Sequence, residues 1–254
     1  MKTETNSTGQ PPPAIERRGW GWQKAQAFGA FGVLVTMVIV SVLFGGFDPF
    51  MAILVGPFVV GLLLRLRFRR VGTVFLGVAA VALTLMNLPF LLPSLRQPAA
   101  GVDFVLPVVL VMSMLTVVVT TVPAYREVKR GVRGSTGPKV VPAVATLLVV
   151  ALSAWGLIAY ATYPEGTARP GDVNLTTKDH AFKPEQIEAG GGQVAVYIRN
   201  EDDTLHTFTI DKLGVDVYIP AHKTARVSFP AGEGSYRFYC RPHAPDMEGK
   251  LVVG

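Results

Sequence analysis

The chain has 254 residues, half of them hydrophobic, and a positive mean hydropathy, which excludes an ordinary soluble enzyme and leaves room for two units. Its net charge of +6 is unevenly placed: from Glu165 onward 10 Lys/Arg face 13 Asp/Glu, while the preceding part carries 14 against 5. The basic excess belongs to the apolar half, where it concerns topology and lipid head groups, so no nucleic-acid site is expected.

The N-terminal tail, residues 1–24 with Pro11, Pro12 and Pro13, reads as disordered and cytoplasmic. Five apolar segments follow at about 25–46, 49–64, 71–92, 103–123 and 140–162, each near the roughly 20 residues that cross a bilayer. Together they predict a five-helix transmembrane region over 25–162. The first two are separated by Gly45, Gly46, Phe47, Asp48 and Pro49, which predicts a helical hairpin in preference to one long bent helix. An uncleaved first helix is preferred to a secretory signal, because no small-residue cleavage site follows it and Arg17-Arg18 lacks the context of a twin-arginine signal.

Loop charges orient the segments. Lys2, Arg17, Arg18 and Lys24 precede the first helix, Arg65, Arg67, Arg69 and Arg70 follow the second, and Arg126, Lys129, Arg130, Arg133 and Lys139 follow the fourth. The alternate loops hold only Arg96. Positive residues accumulate on the cytoplasmic side, so the N terminus is expected inside and, after five crossings, the C-terminal part outside. A four-helix count would reverse that last placement. The helices contain no His, and mid-membrane charges are absent, which disfavours haem ligation and proton-driven transport. Met37, Met51, Met86, Met112 and Met114 read as packing before a Cu(I) path, and Pro57, Pro89 and Pro107 as tolerated kinks.

Tyr163 to Asp172 is a short Pro- and Gly-containing linker. From Val173 to Gly254 the runs VNLTTKD, QVAVYIRN, HTFTID, VDVYIP, TARVSF, GSYRFYC and KLVVG predict about seven short strands and an all-β sandwich. Phe208, Phe229, Tyr236 and Phe238 fit its core.

Cys240 is the chain's one cysteine, so it has no internal disulfide partner, and a thiol left free outside the cytoplasm would be exposed to oxidation. His243 follows at Cys-x-x-His spacing and Met247 four residues later, in one loop between the last two strands. Thiolate, imidazole and thioether form the donor set of a blue-copper site, which needs a second imidazole from another loop. His206, at a turn between strands, is the natural donor. His180 and His222 lack ligand spacing and read as surface residues.

From Ala181 to Gly254 the chain resembles the cupredoxins of the plastocyanin, pseudoazurin and amicyanin type. The resemblance rests on AFKPEQIEAG, on Asn200, Asp202 and His206 in an N-x-D-x-x-x-H pattern, and on GSYRFYCRPH with Met247, Gly249 and the closing KLVV run. It covers under a third of the chain. It implies a Greek-key β-sandwich carrying one type 1 copper that cycles between Cu(II) and Cu(I), with His206, Cys240, His243 and Met247 as ligands. By the same resemblance Asn200 ties the first-histidine loop to the Cys loop. The chain departs from the family in its His-to-Met interval of three intervening residues, where amicyanin-like loops have two and plastocyanin-like loops four. A second Cys is absent, which disfavours a binuclear centre, and zinc could occupy the same pattern in vitro. Pro242 and Pro245 each remove a backbone N–H near the thiolate, which should lower the potential.

The expected function is one-electron transfer at the outer face of the cell membrane, with the lipid bilayer and a membrane redox protein as partners and with no small-molecule substrate. Copper capture and delivery is the alternative. With four histidines in all, the chain lacks the further copper centres of oxidases and nitrite reductases, so no catalytic site of its own is expected.

Overall fold

The computed structural model describes residues 21–43, 46, 49–131 and 139–254. The expected tail up to Trp20, the turn residues Gly45, Phe47 and Asp48, and the loop residues 132–138 lie outside them. The helices are α1 (Trp22–Leu43), α2 (Pro49–Arg67), α3 (Arg69–Leu95), α4 (Val102–Lys129) and α5 (Val140–Ala161). They fall on the five apolar segments, and α1 and α2 are separate, so the single bent helix does not hold.

Four of the five expected spans meet the length and hydropathy of a crossing. Among the described residues four helices, α1, α3, α4 and α5, are long and apolar enough to cross a membrane. The 19-residue α2 is outside that group. At 1.5 Å per residue it measures about 28 Å, and Arg65 and Arg67 occupy its last turn.

The chain divides into two compact units, Met1–Ala82 with Ser113–Ala145, and Leu83–Met112 with Thr146–Gly254. In the first, small residues let helices approach closely. A Cβ on Gly29 would lie 2.8 Å from the Ser113 carbonyl oxygen, so only glycine fits that crossing. Fully buried Gln26 donates through Nε2 to the Thr73 carbonyl at 2.9 Å and to Thr121 Oγ1 at 3.0 Å. Arg65 donates to the Gln23 carbonyl at 2.8 Å, and the Gln23 N–H to buried Glu127 at 3.2 Å. These bonds satisfy polar groups that hydrocarbon would leave unpaired.

In the second unit the strands are β1 (Val173–Lys178), β2 (Ala181–Lys183), β3 (Gln186–Ala189), β4 (Gly192–Asn200), β5 (His206–Ile210), β6 (Val215–Ile219), β7 (Thr224–Ala231), β8 (Gly234–Tyr239) and β9 (Glu248–Val253). They form a sandwich of two sheets, ordered β2-β1-β4-β7 and β3-β9-β8-β5-β6. The pairs β1–β4 and β3–β9 are parallel and the other pairs antiparallel. All seven predicted runs are strands. The two additional ones, β2 and β3, come from AFKPEQIEAG, where runs of three and four residues on either side of Pro184 are too short to show alternation.

Alternation fixes which faces meet. On β4, Val194, Val196 and Ile198 point inward with Asn200, against Phe182, Phe208, Phe229 and Phe238 of the same core. Tyr236 packs against that core and is only partly buried. On β5 every residue is buried, His206 included.

The expected linker is strapped to the sandwich. The Gly166 N–H donates to the Thr224 carbonyl at 3.1 Å, Thr224 Oγ1 returns a bond to the Gly166 carbonyl at 2.9 Å, and Lys223 pairs with Glu165 at 3.0 Å. Arg226 holds Asp172 through two bonds of 2.8 Å, and this guanidinium keeps the Asp172 carboxyl below the usual range. A Cβ on Gly166 would collide with the Arg226 backbone nitrogen, so the contact requires glycine.

Candidate metal centre

Three elements meet at one end of the sandwich. His206 opens β5 after the turn that begins at Glu201, Cys240 directly follows β8, and His243 and Met247 lie in the turn between β8 and β9. The turn is folded on itself: the His243 N–H donates to the Cys240 carbonyl at 3.2 Å, Met247 N–H to the His243 carbonyl at 3.0 Å, and Cys240 N–H to the Met247 carbonyl at 3.0 Å. That brings residues separated by three and seven positions to one side of a short loop.

The donor atoms converge. Nδ1 of His206 and Nδ1 of His243 are 3.2 Å apart, and Cys240 Sγ is 3.6 Å from the first and 3.3 Å from the second. A metal at the centre of such a triangle, with bonds of about 2.0–2.3 Å, needs edges of about 3.5–3.9 Å, so a few tenths of an ångström of expansion suffices. His206 and Cys240 are fully buried, His243 is half-buried, and Met247, 1% exposed, packs in the core cluster that includes Cys240. Sequence reasoning expected these four side chains together. The structure brings three donor atoms into one cluster and buries Met247 in the core that includes Cys240.

The protonation states of the donors suit a metal ion that takes the place of the thiol proton. Burial pushes the Cys240 thiol up, against the Thr207 N–H at 3.3 Å and the His243 N–H, so a metal entering the site displaces the thiol proton. Burial lowers His206, against the opposing pull of Asp202. Burial, with His206 and His180 nearby, lowers His243 to about 4. Both imidazoles are therefore neutral, with lone pairs available. His206 Nε2 lies 2.7 Å from Asp202 Oδ2, which places the proton on Nε2 and the lone pair on the inward-facing Nδ1.

The depressed His243 has a consequence for stability. Between about 6.5 and about 4 the unfolded chain binds a proton at this residue that the folded chain refuses, so the metal-free protein loses stability as pH falls through that window. Thermal melts of metal-free protein should drop between pH 7 and pH 5, and copper-loaded protein should drop less. A flat metal-free melting temperature over that range would contradict the assignment.

Three further residues organise the centre. Asp202, quoted in the motif but given no role there, is a clamp: its carboxylate accepts the Asp179 N–H at 2.7 Å and the His180 N–H at 3.2 Å as well as facing His206. Burial works against its ionisation, but the His180 and Asp179 N–H groups and the His206 imidazole hold its pKa below the usual value. Asp179 and His180 both have left-handed backbones, φ 56° and 57°, which those two bonds stabilise. His180 is exposed, as expected, yet its ring stands edge-on to His243 with centroids 4.8 Å apart, a proximity no spacing rule reveals because it comes from a different strand connection. His222 is exposed and faces Asp203, away from the cluster's donor set.

Asn200 is 2% exposed and knits the first-histidine turn. Its Nδ2 faces the carbonyls of Thr204, Ile219 and Pro220 at 2.8, 2.9 and 3.0 Å, and its Oδ1 accepts from Thr177 Oγ1 and the Asp202 N–H. These partners lie on the turn, at the end of β6 and just after it, and on β1. The step to the Cys loop is made by Thr207, which donates its N–H to Cys240 Sγ and accepts the Arg241 N–H on Oγ1 at 2.8 Å. Sequence reasoning missed Thr207, although its position next to His206 was a signal.

The family model for the cupredoxin-like domain matches residues 147–253, beginning inside α5. Among solved structures, a reduced tryptophan-to-tyrosine mutant of amicyanin is 19% identical, with 34% of this chain and 86% of that chain covered and a TM-score of 0.30. Amicyanin from Paracoccus versutus is 20% identical over 34% of this chain and 85% of its own, also with a TM-score of 0.30. Residues 147–253 thus match a cupredoxin-like domain, and the His206, Cys240 and His243 cluster within them fits a type 1 copper site.

Proposed function

We propose that the protein is a membrane-anchored electron carrier whose copper is held by His206, Cys240, His243 and Met247 on the extracytoplasmic side. The observation that carries this reading is the convergence of two neutral imidazole nitrogens and one buried thiol within 3.6 Å of one another. Bound copper supplies a one-electron couple between Cu(II) and Cu(I). The chain's residues do the rest. Asp202 fixes the ring of His206, Thr207 and the turn bonds fix Cys240, and Met247 with the surrounding core excludes water. Donors held in place by a folded scaffold change little between oxidation states, which favours fast electron exchange. Pro242, between Cys240 and His243, contributes no N–H to the sulfur. Half-buried His243, with His180 at its edge, is the part of the centre nearest solvent and the natural point for a redox protein to approach.

Five crossings, with α2 as a short fifth span, place the N terminus inside and the sandwich outside, in keeping with the positive residues at alternate loops. The carrier so anchored stays beside membrane redox enzymes and has no catalytic role of its own.

The test is the visible and EPR spectrum of the full chain, in detergent, after addition of Cu(II). The expected result is an intense thiolate-to-copper charge-transfer band with narrow copper hyperfine splitting and a reversible couple. A folded protein lacking that band sinks the reading; rapid loss of copper to a chelator without a reversible couple moves the weight to copper delivery. For sidedness, a C-terminal alkaline phosphatase fusion should be active, and an inactive but expressed fusion would refute the outward placement.

A further inference from the structure

The turn that carries His206 is bonded to the first turn of a membrane helix, which lies in the same compact unit. Asp103, in the first turn of α4, accepts the Leu205 N–H at 2.6 Å through Oδ2, and Leu205 is the residue immediately before His206. A carboxylate is well placed at a helix N-terminus, so α4 stabilises Asp103 where it meets the turn. Leu205 is 8% exposed and is buried with Ala100, Phe104 and Val108, with Leu152 of α5 and Tyr218 of β6 packed alongside.

That helix turn is itself braced. Phe104 lies over Gly156 of α5, where a Cβ would come 2.4 Å from its ring, and stands edge-on to Trp155 with centroids 5.8 Å apart. Two more bonds fasten the other side of the contact: Tyr160 Oη donates to the Ala221 carbonyl at 2.9 Å and Tyr163 Oη to the Tyr218 carbonyl at 2.7 Å. The Lys223 ammonium sits 5.0 Å from the centre of the Tyr160 ring. A sandwich tethered only by a chain would need none of these contacts.

We propose that the helix ends around Asp103 are a seat for the first-histidine turn, and that Asp103 is a positioning residue which fixes His206 through the Leu205 N–H. These helix ends thereby set the geometry and the potential of the centre instead of serving only as part of an anchor. The effect on potential rests on the copper reading above; the effect on the turn does not. The seat also covers the Leu205 and Tyr218 side of the sandwich, which leaves His243 and His180 as the approach for a partner.

The experiment uses the full chain with Asp103→Ala, Asp103→Asn and, as control, Tyr160→Phe, which loosens the contact away from His206. In metal-free protein the Leu205 amide should be protected from hydrogen exchange, should exchange at least tenfold faster in Asp103→Ala, and should regain protection in Asp103→Asn, whose amide oxygen still accepts. In copper-loaded protein Asp103→Ala should shift the charge-transfer band and hyperfine splitting. The Cu(II)/Cu(I) preference should move about tenfold toward Cu(I), ~59 mV for one electron, as a carboxylate is lost. Asp103→Asn should restore the spectrum and keep the raised potential. An unprotected Leu205 amide in the unaltered protein, an Asp103→Ala protein identical to it, or a Tyr160→Phe change as large as that of Asp103→Ala would each overturn the proposal. If the unaltered protein shows no copper band, the copper reading fails while the exchange measurement still decides the seat.

Discussion

Serine in place of Cys240 should abolish the charge-transfer band completely and weaken copper binding by more than the roughly 10–100-fold that loss of an outer-sphere partner costs. The thiol is fully buried, lies within 3.6 Å of both imidazole nitrogens, and is the only soft anionic donor the cluster can offer. A hydroxyl of similar size keeps the sandwich folded, at a cost of about 1–3 kcal/mol for burying a polar group among Phe208, Phe238 and Met247. The visible spectrum after Cu(II) addition and a denaturant titration of the same sample separate the two effects. A band that survives in Cys240→Ser would mean the absorbing ligand is another residue.

The second large effect is expected from Asn200→Leu. This nearly isosteric change removes an amide that serves the carbonyls of Thr204, Ile219 and Pro220 and the donors of Thr177 and Asp202, all in a 2% exposed position. Each buried group left without a partner costs about 1–3 kcal/mol, and some will find substitutes, so a loss of about 3–5 kcal/mol is expected. For a β domain of this size that is a fall of roughly 15 °C or more in melting temperature, read from near-ultraviolet circular dichroism of the metal-free protein. Copper should bind more weakly as well, because Asp202 and the turn before His206 lose their fixed position. A melting temperature within about 3 °C of the unaltered protein would show that the turn is held by something other than Asn200.

Much of the architecture was legible because it follows from periodicity and spacing. Apolar segments near the length of a bilayer crossing gave the five helices, and alternation gave seven of the nine strands. Their ends shifted where local rules compete: α4 continues six residues past its expected end, through Tyr125 and Arg126 to Lys129, since charged residues in a last turn do not stop a helix. The weakest point was α2, whose short apolar stretch and terminal arginines satisfy a helix more easily than a membrane span. The strands β2 and β3 were hidden because they hold too few residues for a period-two pattern to register.

At the metal centre, composition by itself determined the donor types. A lone cysteine, one histidine three residues on, one methionine four beyond it and a distant histidine at a turn admit few other chemistries. What only the tertiary structure decided is how those donors are held. The Asp202 carboxylate reaches His206 and the His180 turn at once, Thr207 bridges to Cys240, His180 stands against His243, and Asp103 of a membrane helix grips the residue before His206. Apart from the Asp202–His206 pair, four positions apart, each of these contacts joins segments that strand pairing and helix packing bring together from far along the chain, 102 positions for Asp103 and Leu205. Sequence spacing encodes neighbours within one turn of backbone; it does not encode which distant backbone N–H a carboxylate will meet once the layers have packed.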